Sequence, residues 1–192
     1  MTARAILGGT FLSLLFACGG SSNNSNNSVN GTILGNSMQA ADATSANGSF
    51  TQSFPPSTVN AGIIGISSVG GICAKASASQ APKNSQFLLL VVVDYNGALT
   101  SAPTAPGTYT VSTTASKRAG AQYIQLDANC QNTVGSVFSV SGTVTLTSVN
   151  NGSYAGTFDL TLSSGDHITG SFSASNCAGL VPFLALPQPA CV

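Results

Sequence analysis

The last third of the chain alternates between apolar and polar residues with a period of two. Between residues 138 and 146 the even positions are apolar or glycine, and the odd positions are Ser or Thr. The same parity returns in residues 154–162 and 168–174. Such alternation places one set of side chains on a core face and the other in water, which a helix cannot do. The pattern predicts three antiparallel strands, joined by hairpin turns at residues 150–152 and 164–166.

The pairing of these strands is constrained by the same alternation. Directly opposed residues of an antiparallel pair share a face, so their numbers must have equal parity here. A two-residue turn would break this rule, whereas a three-residue loop over residues 151–153 satisfies it. The register then pairs Leu146 with Phe158 and Phe158 with Phe172, which predicts a row of large side chains across the core.

A short repeat begins at a glycine every 14 residues in this region. Each copy reads Gly, then Thr or Ser, then Val or Phe, and the glycines are Gly142, Gly156 and Gly170. All three have the core-facing parity. We therefore expect them to leave room for the rings of neighbouring strands.

Further strands are predicted upstream, where Thr, Val, Ser and Gly are abundant and helix formers are scarce. Their ranges are residues 58–67, 71–78, 87–93, 108–112 and 121–126. The third range is an unbroken run of seven apolar residues, too short to span a membrane, and it fits a strand covered on both faces. Together these strands predict an all-β domain, an antiparallel β-sandwich or incomplete β-barrel ending in the three-strand meander.

Besides Cys18 the sequence has four cysteines, which are Cys73, Cys130, Cys177 and Cys191. They form no Cys-x-x-Cys motif, and the sequence has a single histidine. This inventory favours two disulfides over a zinc site, and three connectivities are open. Cys130 precedes the first meander strand and Cys177 follows the third, so about 25–30 Å would separate them and their pairing is the least favoured. We expect Cys177 to pair with Cys191 across a short loop, which holds the tail along the body, and Cys73 with Cys130.

The N-terminus has the order of features that an export signal requires. Arg4 precedes an apolar run at residues 5–17, which is too short to span a bilayer. The run ends in Leu-Phe-Ala-Cys-Gly, in which the cysteine is Cys18. This segment resembles the lipobox of bacterial lipoproteins. The resemblance implies cleavage before Cys18 and acylation of that cysteine with palmitate-like chains, which anchor the protein to a membrane.

The same resemblance implies a location and a division of the chain. Because Gly19 is not the aspartate that retains such lipoproteins at the inner membrane, the expected location is the cell envelope, lipid-anchored at the outer membrane. The expected divisions are a signal peptide at residues 1–17, a lipidated cysteine with a flexible tether at 18–30, and a single β-rich domain at 31–192. The strand pattern is similar in style to β-rich lipoproteins of Gram-negative bacteria, a likeness that implies no particular activity.

Charged residues are few and balanced, with five Lys and Arg against five Asp and Glu. So sparse a set provides no basic surface for nucleic acid, which we exclude as a partner. The adjacent Lys117 and Arg118 form the only basic cluster, and we interpret them as a solvated loop tip.

The residues that catalysis requires are also missing from the sequence. His167 is the only histidine, and it has the outward parity just after a turn, so we expect it to face solvent. The five aspartates are too scattered for a calcium loop. We therefore predict that the protein is not an enzyme, with no catalytic residue, no metal site and no cofactor.

The leading functional hypothesis is a non-catalytic binding or structural module. Its Thr- and Ser-rich outer face could contact a protein or a glycan, for which Tyr95, Tyr109 and Tyr123 are the candidate aromatic contacts. The alternative is a calycin-like barrel that carries a small hydrophobic ligand, with residues 87–93 lining its cavity.

Overall fold

The computed structural model describes residues 26–53 and 56–192, so the signal segment and Cys18 lie outside the described residues. The strands are β1 (Ser28–Asn30), β2 (Thr32–Ile33), β3 (Asn36–Ser37), β4 (Asp42–Ser53), β5 (Pro56–Ser67), β6 (Gln80–Ala81), β7 (Gln86–Asn96), β8 (Leu99–Ser101), β9 (Gly107–Val111), β10 (Lys117–Gln125), β11 (Val137–Asn150), β12 (Ser153–Leu162), β13 (His167–Asn176) and β14 (Ala190–Cys191). The helices are α1 (Ile72–Ser77) and α2 (Leu180–Leu184). Within the described ranges, no helix has both the length and the apolar character needed to cross a membrane.

Ten strands form one sheet in the order β1-β13-β12-β11-β9-β10-β7-β5-β4, and β8 pairs with β7. The outer edge of β13 is shared, because β1 pairs with one part of it and β4 pairs in parallel with another, at Ser175 and Asn176. The sheet therefore curves until its ends meet along β13, through only two residue pairs on the β4 side. The predicted all-β class is confirmed, and β11, β12 and β13 form the closing meander.

The concave side of the sheet encloses the main core. Its largest fully buried side chains include three tyrosines and several branched aliphatic residues, among them Tyr109, Tyr123, Tyr154, Ile64, Leu88, Leu90, Leu146 and Leu160. Each such side chain stabilises the fold by about 1.5–3 kcal/mol relative to an exposed position. Inward positions of the curved sheet are thus filled with side chains that pack on one another.

The prediction of a strand at residues 71–78 is wrong, since this segment contains helix α1. Its Ala-rich sequence favours a helix, and Gly71, at φ 69°, turns the chain into it. The carboxylate of Asp42 accepts a hydrogen bond from the Ile72 N–H at 3.0 Å, which satisfies one of the free donors of the first turn. The period-two pattern there was too short to outweigh these local preferences.

The loop between β11 and β12 also differs from the prediction. It is a two-residue turn, with Asn151 at φ 47° and Gly152 at φ 83°, and Asn150 pairs with Ser153. Positive φ at both central residues is the geometry of a type I′ hairpin turn, which follows the twist of the strands. Equal parity is restored farther along by a bulge at Thr147, between Leu146 and Ser148. Opposed residues beyond the bulge therefore have equal parity, as predicted, but a bulge in β11 produces this register instead of a longer loop.

A second bulge lies between Ser139 and Ser141 and reverses the faces at the start of β11. Val137 is consequently buried, whereas Phe138 and Val140 are each 51% exposed. The sequence pattern had placed both of these even-numbered residues in the core, which is wrong. A bulge adds one residue to one strand, so the side chains before it point to the opposite face from the one predicted.

Both predicted pairings in the row of large side chains are wrong, because the register of each strand pair is shifted by two residues. Phe158 lies opposite Gly170 and Val144, and Phe172 lies opposite Gly156. A Cβ on Gly170 would collide with the ring of Phe158 and the backbone oxygen of Ser28. Directly opposed Cβ atoms are only about 5 Å apart, so two rings would crowd each other in so curved a sheet. The expectation that glycines make room for neighbouring rings is confirmed at Gly170, whereas a Cβ on Gly142 or Gly156 would meet backbone atoms of the paired strand.

The two disulfides join Cys73 to Cys177 and Cys130 to Cys191, with Cα separations of 5.7 and 5.6 Å. The preferred pairing of Cys177 with Cys191 and Cys73 with Cys130 is therefore wrong. Two structural features outweigh the low entropic cost of the short tail loop. Helix α1 places Cys73 beside the end of β13, and the parallel pairing of β14 with β6 carries Cys191 toward Cys130. Cys191 does hold the tail against the body, as predicted.

The domain begins earlier than predicted. Residues Ser28–Asn30 were assigned to the flexible tether, but they form β1 and pair with β13. The backbone oxygen of Asn26 accepts a hydrogen bond from the Ser171 hydroxyl at 2.8 Å. The polar composition of this stretch concealed the strand, because Val29 is the one apolar residue that packs on the core and backbone hydrogen bonds and hydroxyls hold the rest in place.

Candidate functional site

Strand β7 presents apolar side chains on both faces of the sheet. Its even positions, Leu88, Leu90 and Val92, are fully buried in the main core. Its odd positions Leu89 and Val91 point to the convex side and are only half-buried, because they line a groove of about 1330 Å³. The prediction of a strand covered on both faces therefore holds for the inner face, and the outer face is covered only in part.

The groove lies on the convex side of the central strands. Ile63 of β5 and Ile124 of β10 flank the β7 residues, and the exposed ring of Phe138 on β11 lies opposite Gln122 of β10. On the other side Val181 and Leu184 of α2 form a wall. The outward position of Phe138 is a consequence of the bulge in β11, so the pattern that predicted a core residue missed a groove residue.

Arg118 lies at one end of this groove. Its guanidinium stacks on the ring of Tyr95 at 3.7 Å from the ring centroid, and its Nε donates a hydrogen bond to the Ala115 carbonyl at 2.7 Å. The predicted loop tip is instead the first part of strand β10, where Lys117 and Arg118 point to opposite faces. The alternation of Arg118, Gly120 and Gln122 with the more apolar residues between them was the signal that could have revealed this strand.

The charges around Arg118 are unbalanced. All five aspartates lie within the described residues, yet none forms a salt bridge with Arg118 there. The neighbouring Lys117, by contrast, has its Nζ 3.8 Å from a carboxylate oxygen of Asp94 on the other side of the sheet. The guanidinium therefore keeps hydrogen-bond donors and a positive charge available at the end of an apolar groove.

The three tyrosines proposed as aromatic contacts do not form an exposed platform. Tyr109 and Tyr123 are fully buried, and Tyr95 is half-buried under Arg118. The Tyr109 hydroxyl donates a hydrogen bond to Asp94 at 3.3 Å. Burial is the main cause that raises the pKa of Tyr109, and the Asp94 carboxylate adds to it. These rings stabilise the core and the groove rather than an exposed surface for sugars.

The buried Tyr154 should make the fold sensitive to high pH. Its hydroxyl donates to Asn47, and burial, with a contribution from Asp94, raises the pKa of Tyr154 to about 12. A tyrosine of the unfolded chain ionises near pH 10, so the unfolded state loses its proton first. We expect the free energy of unfolding to fall between about pH 10 and 12, more steeply in the native sequence than in Tyr154→Phe. Urea unfolding across this pH range measures the difference, and equal slopes would contradict it.

The convex side of the meander carries hydroxyl groups instead of apolar groups. Opposed pairs across the strands include Thr145 with Thr157 and Thr157 with Ser171, as the period-two pattern predicted. His167 is exposed there, as expected, and its Nε2 lies 2.8 Å from an oxygen of Asp159. In the described part of the chain, no serine hydroxyl or cysteine thiol forms a hydrogen bond with this imidazole.

The groove and the hydroxyl face thus differ in chemistry. The groove combines apolar side chains with one cation, whereas the hydroxyl face resembles the solvated side of an ordinary antiparallel sheet. A concave, mainly apolar surface that carries a charge is the better candidate for a site. Comparison with known proteins finds no matching family model, no similar curated protein and no similar solved structure, so the properties of the groove carry the functional argument.

Proposed function

We propose that the protein is a lipoprotein of the cell envelope, anchored to the outer membrane by lipid on Cys18, and that its domain is a non-catalytic binding module. The groove on the convex side of β5, β7 and β10 is the binding surface. The observation that carries this proposal is the partly exposed apolar surface of Leu89 and Val91, which line a groove on an otherwise well-packed sheet. Contiguous apolar surface of this kind marks interaction sites on soluble domains.

An occupant would gain free energy by covering this surface. Removal of apolar area from water contributes about 25 cal/mol per Å². The strands beneath the groove are rigid, because both edges of β7 are hydrogen-bonded to β5 and β10. A preformed apolar site on a rigid sheet loses little entropy on binding. These features support a binding role in which the domain holds its partner without changing shape.

The anchor is tested by Cys18→Ala, which removes the residue that the lipobox resemblance requires. We expect the variant to lose acylation and to move from the detergent phase to the aqueous phase, or to accumulate uncleaved. Ser21→Ala is the matched control and should fractionate as the native chain does. Membrane fractionation with detergent-phase partitioning gives the answer, and unchanged partitioning of Cys18→Ala would refute the anchor.

The second candidate function is a carrier of a small hydrophobic ligand. Its ligand would lie in the groove and not in an internal cavity. The inward residues of the 87–93 run belong to the packed core, while its outward residues line the groove. A hydrophobic ligand would therefore lie on the convex side of the curved sheet. Binding assays with labelled fatty acids and with a glycan array separate the candidates, since saturable binding of a fatty acid favours the carrier, whereas glycan binding without it favours a module that carries no hydrophobic ligand.

A further inference from the structure

We propose that the groove binds a long-chain fatty acid, with the carboxylate on Arg118 and the acyl chain along the outer side of β7. The inference rests on the binding role proposed above and names its ligand class. Three observations carry it: the free charge of Arg118, the shape of the apolar surface, and the pairing of the strands beneath it.

Arg118 is suited to a carboxylate. A guanidinium has five N–H donors in a planar fork, and within the described part of the chain only the Nε–H is committed, to the Ala115 carbonyl. The stack on Tyr95 holds the plane of the fork in one orientation. A carboxylate can accept two parallel hydrogen bonds from such a fork, in the geometry that arginine favours. Since no aspartate in the described chain pairs with Arg118, an anionic ligand would meet no internal competitor.

The apolar part of the groove has the length of an acyl chain. Strand β10 covers about 20 Å between Arg118 and Ile124, at roughly 3.3 Å per residue. A bilayer has a hydrocarbon core of about 30 Å, so one extended acyl chain needs roughly half of that. Arg118 pairs with Val93 near one end of this strip, and Ile124 pairs with Phe87 at the other. A carboxylate on Arg118 therefore directs its chain toward Ile124 and Phe138.

A peptide fits this surface less well than an acyl chain does. β7 pairs with β5 along one edge and with β10 along the other, and β10 pairs in turn with β9 and β11. The backbone donors and acceptors beneath the groove are thus engaged, and an extended peptide would find no strand edge to join. An acyl chain has no backbone groups to satisfy and contributes only apolar surface.

The test uses the full chain reconstituted in phosphatidylcholine vesicles and a photoactivatable palmitate probe. We expect crosslinks on peptides of β7 and β10, competed by excess palmitate at least tenfold better than by hexadecanol, which has the same chain without the carboxylate. Arg118→Gln should lower labelling at subsaturating probe by about tenfold to a hundredfold, the loss expected for charge-assisted hydrogen bonds. Lys117→Gln, which removes the neighbouring cation on the other face, should label as the native chain does.

The outcomes separate this inference from the binding role. Equal competition by palmitate and hexadecanol in the native chain would refute the carboxylate contact and leave the apolar groove as a site. Crosslinks on the meander, or no saturable labelling, would refute both for small hydrophobic ligands. The comparison of the two competitors is made in the native chain, so it decides the question even if Arg118→Gln fails to fold. Far-ultraviolet circular dichroism establishes whether that variant is folded.

Discussion

The double substitution Cys73→Ala and Cys177→Ala is expected to lower the free energy of unfolding by about 4–5 kcal/mol. This disulfide closes a segment of 104 residues, so its loss frees much of the unfolded chain. Cys177 is also almost fully buried beside Ala46 and Leu180, where a smaller side chain leaves a cavity. Denaturant unfolding under non-reducing conditions measures the effect.

The matched control is the other disulfide. Cys130→Ala with Cys191→Ala opens a shorter loop of 61 residues and affects a cysteine at the exposed tail, so the loss should be smaller. Non-reducing peptide mapping of the native chain establishes the connectivity independently. A peptide joining Cys177 to Cys191 would contradict both the pairing and the reason given for the larger effect.

Phe158→Ala is expected to destabilise the domain by about 3–5 kcal/mol, and Phe172→Ala by a similar amount. Both rings are almost fully buried, and each lies across from a glycine on a neighbouring strand. The adjacent backbone cannot close the space that is left, because β12 is paired on both edges.

Thr157→Ala is the control for this substitution. Thr157 is next in sequence to Phe158 but lies on the exposed face, so its replacement should change stability by no more than about 0.5 kcal/mol. Thermal unfolding of the three variants measures the ranking. Equal losses for Thr157→Ala and Phe158→Ala would show that the faces of β12 have been assigned wrongly.

The sequence was sufficient for the class of fold and for the faces of β12 and β13. Period-two alternation depends only on the pleat of a strand, and it correctly predicted that Phe158 and Phe172 are buried. It could not reveal the bulges in β11, because an extra residue is invisible until the partner strand is known. The exposed Phe138 is the result, and with it one side of the groove was missed.

Arg118 and the disulfides were missed for a different reason. The two adjacent basic residues were interpreted as a loop tip because the alternation that begins at Arg118 was assigned to a strand only from residue 121 onward. The pairing of Cys130 with Cys191 depends on where a proline-rich tail joins β6, which is a tertiary contact between distant segments. Spacing along the chain gives only the entropy of loop closure, and native contacts can outweigh it.

The wall of the groove formed by α2 belongs to a segment whose two ends are covalently bonded to the body. Cys177 precedes this segment and is bonded to Cys73, while Cys191 follows it and is bonded to Cys130. A single proteolytic cut between residues 178 and 190 would therefore release no fragment, and both new termini would stay attached through sulfur. The wall can bend, but such a cut cannot strip it from the domain.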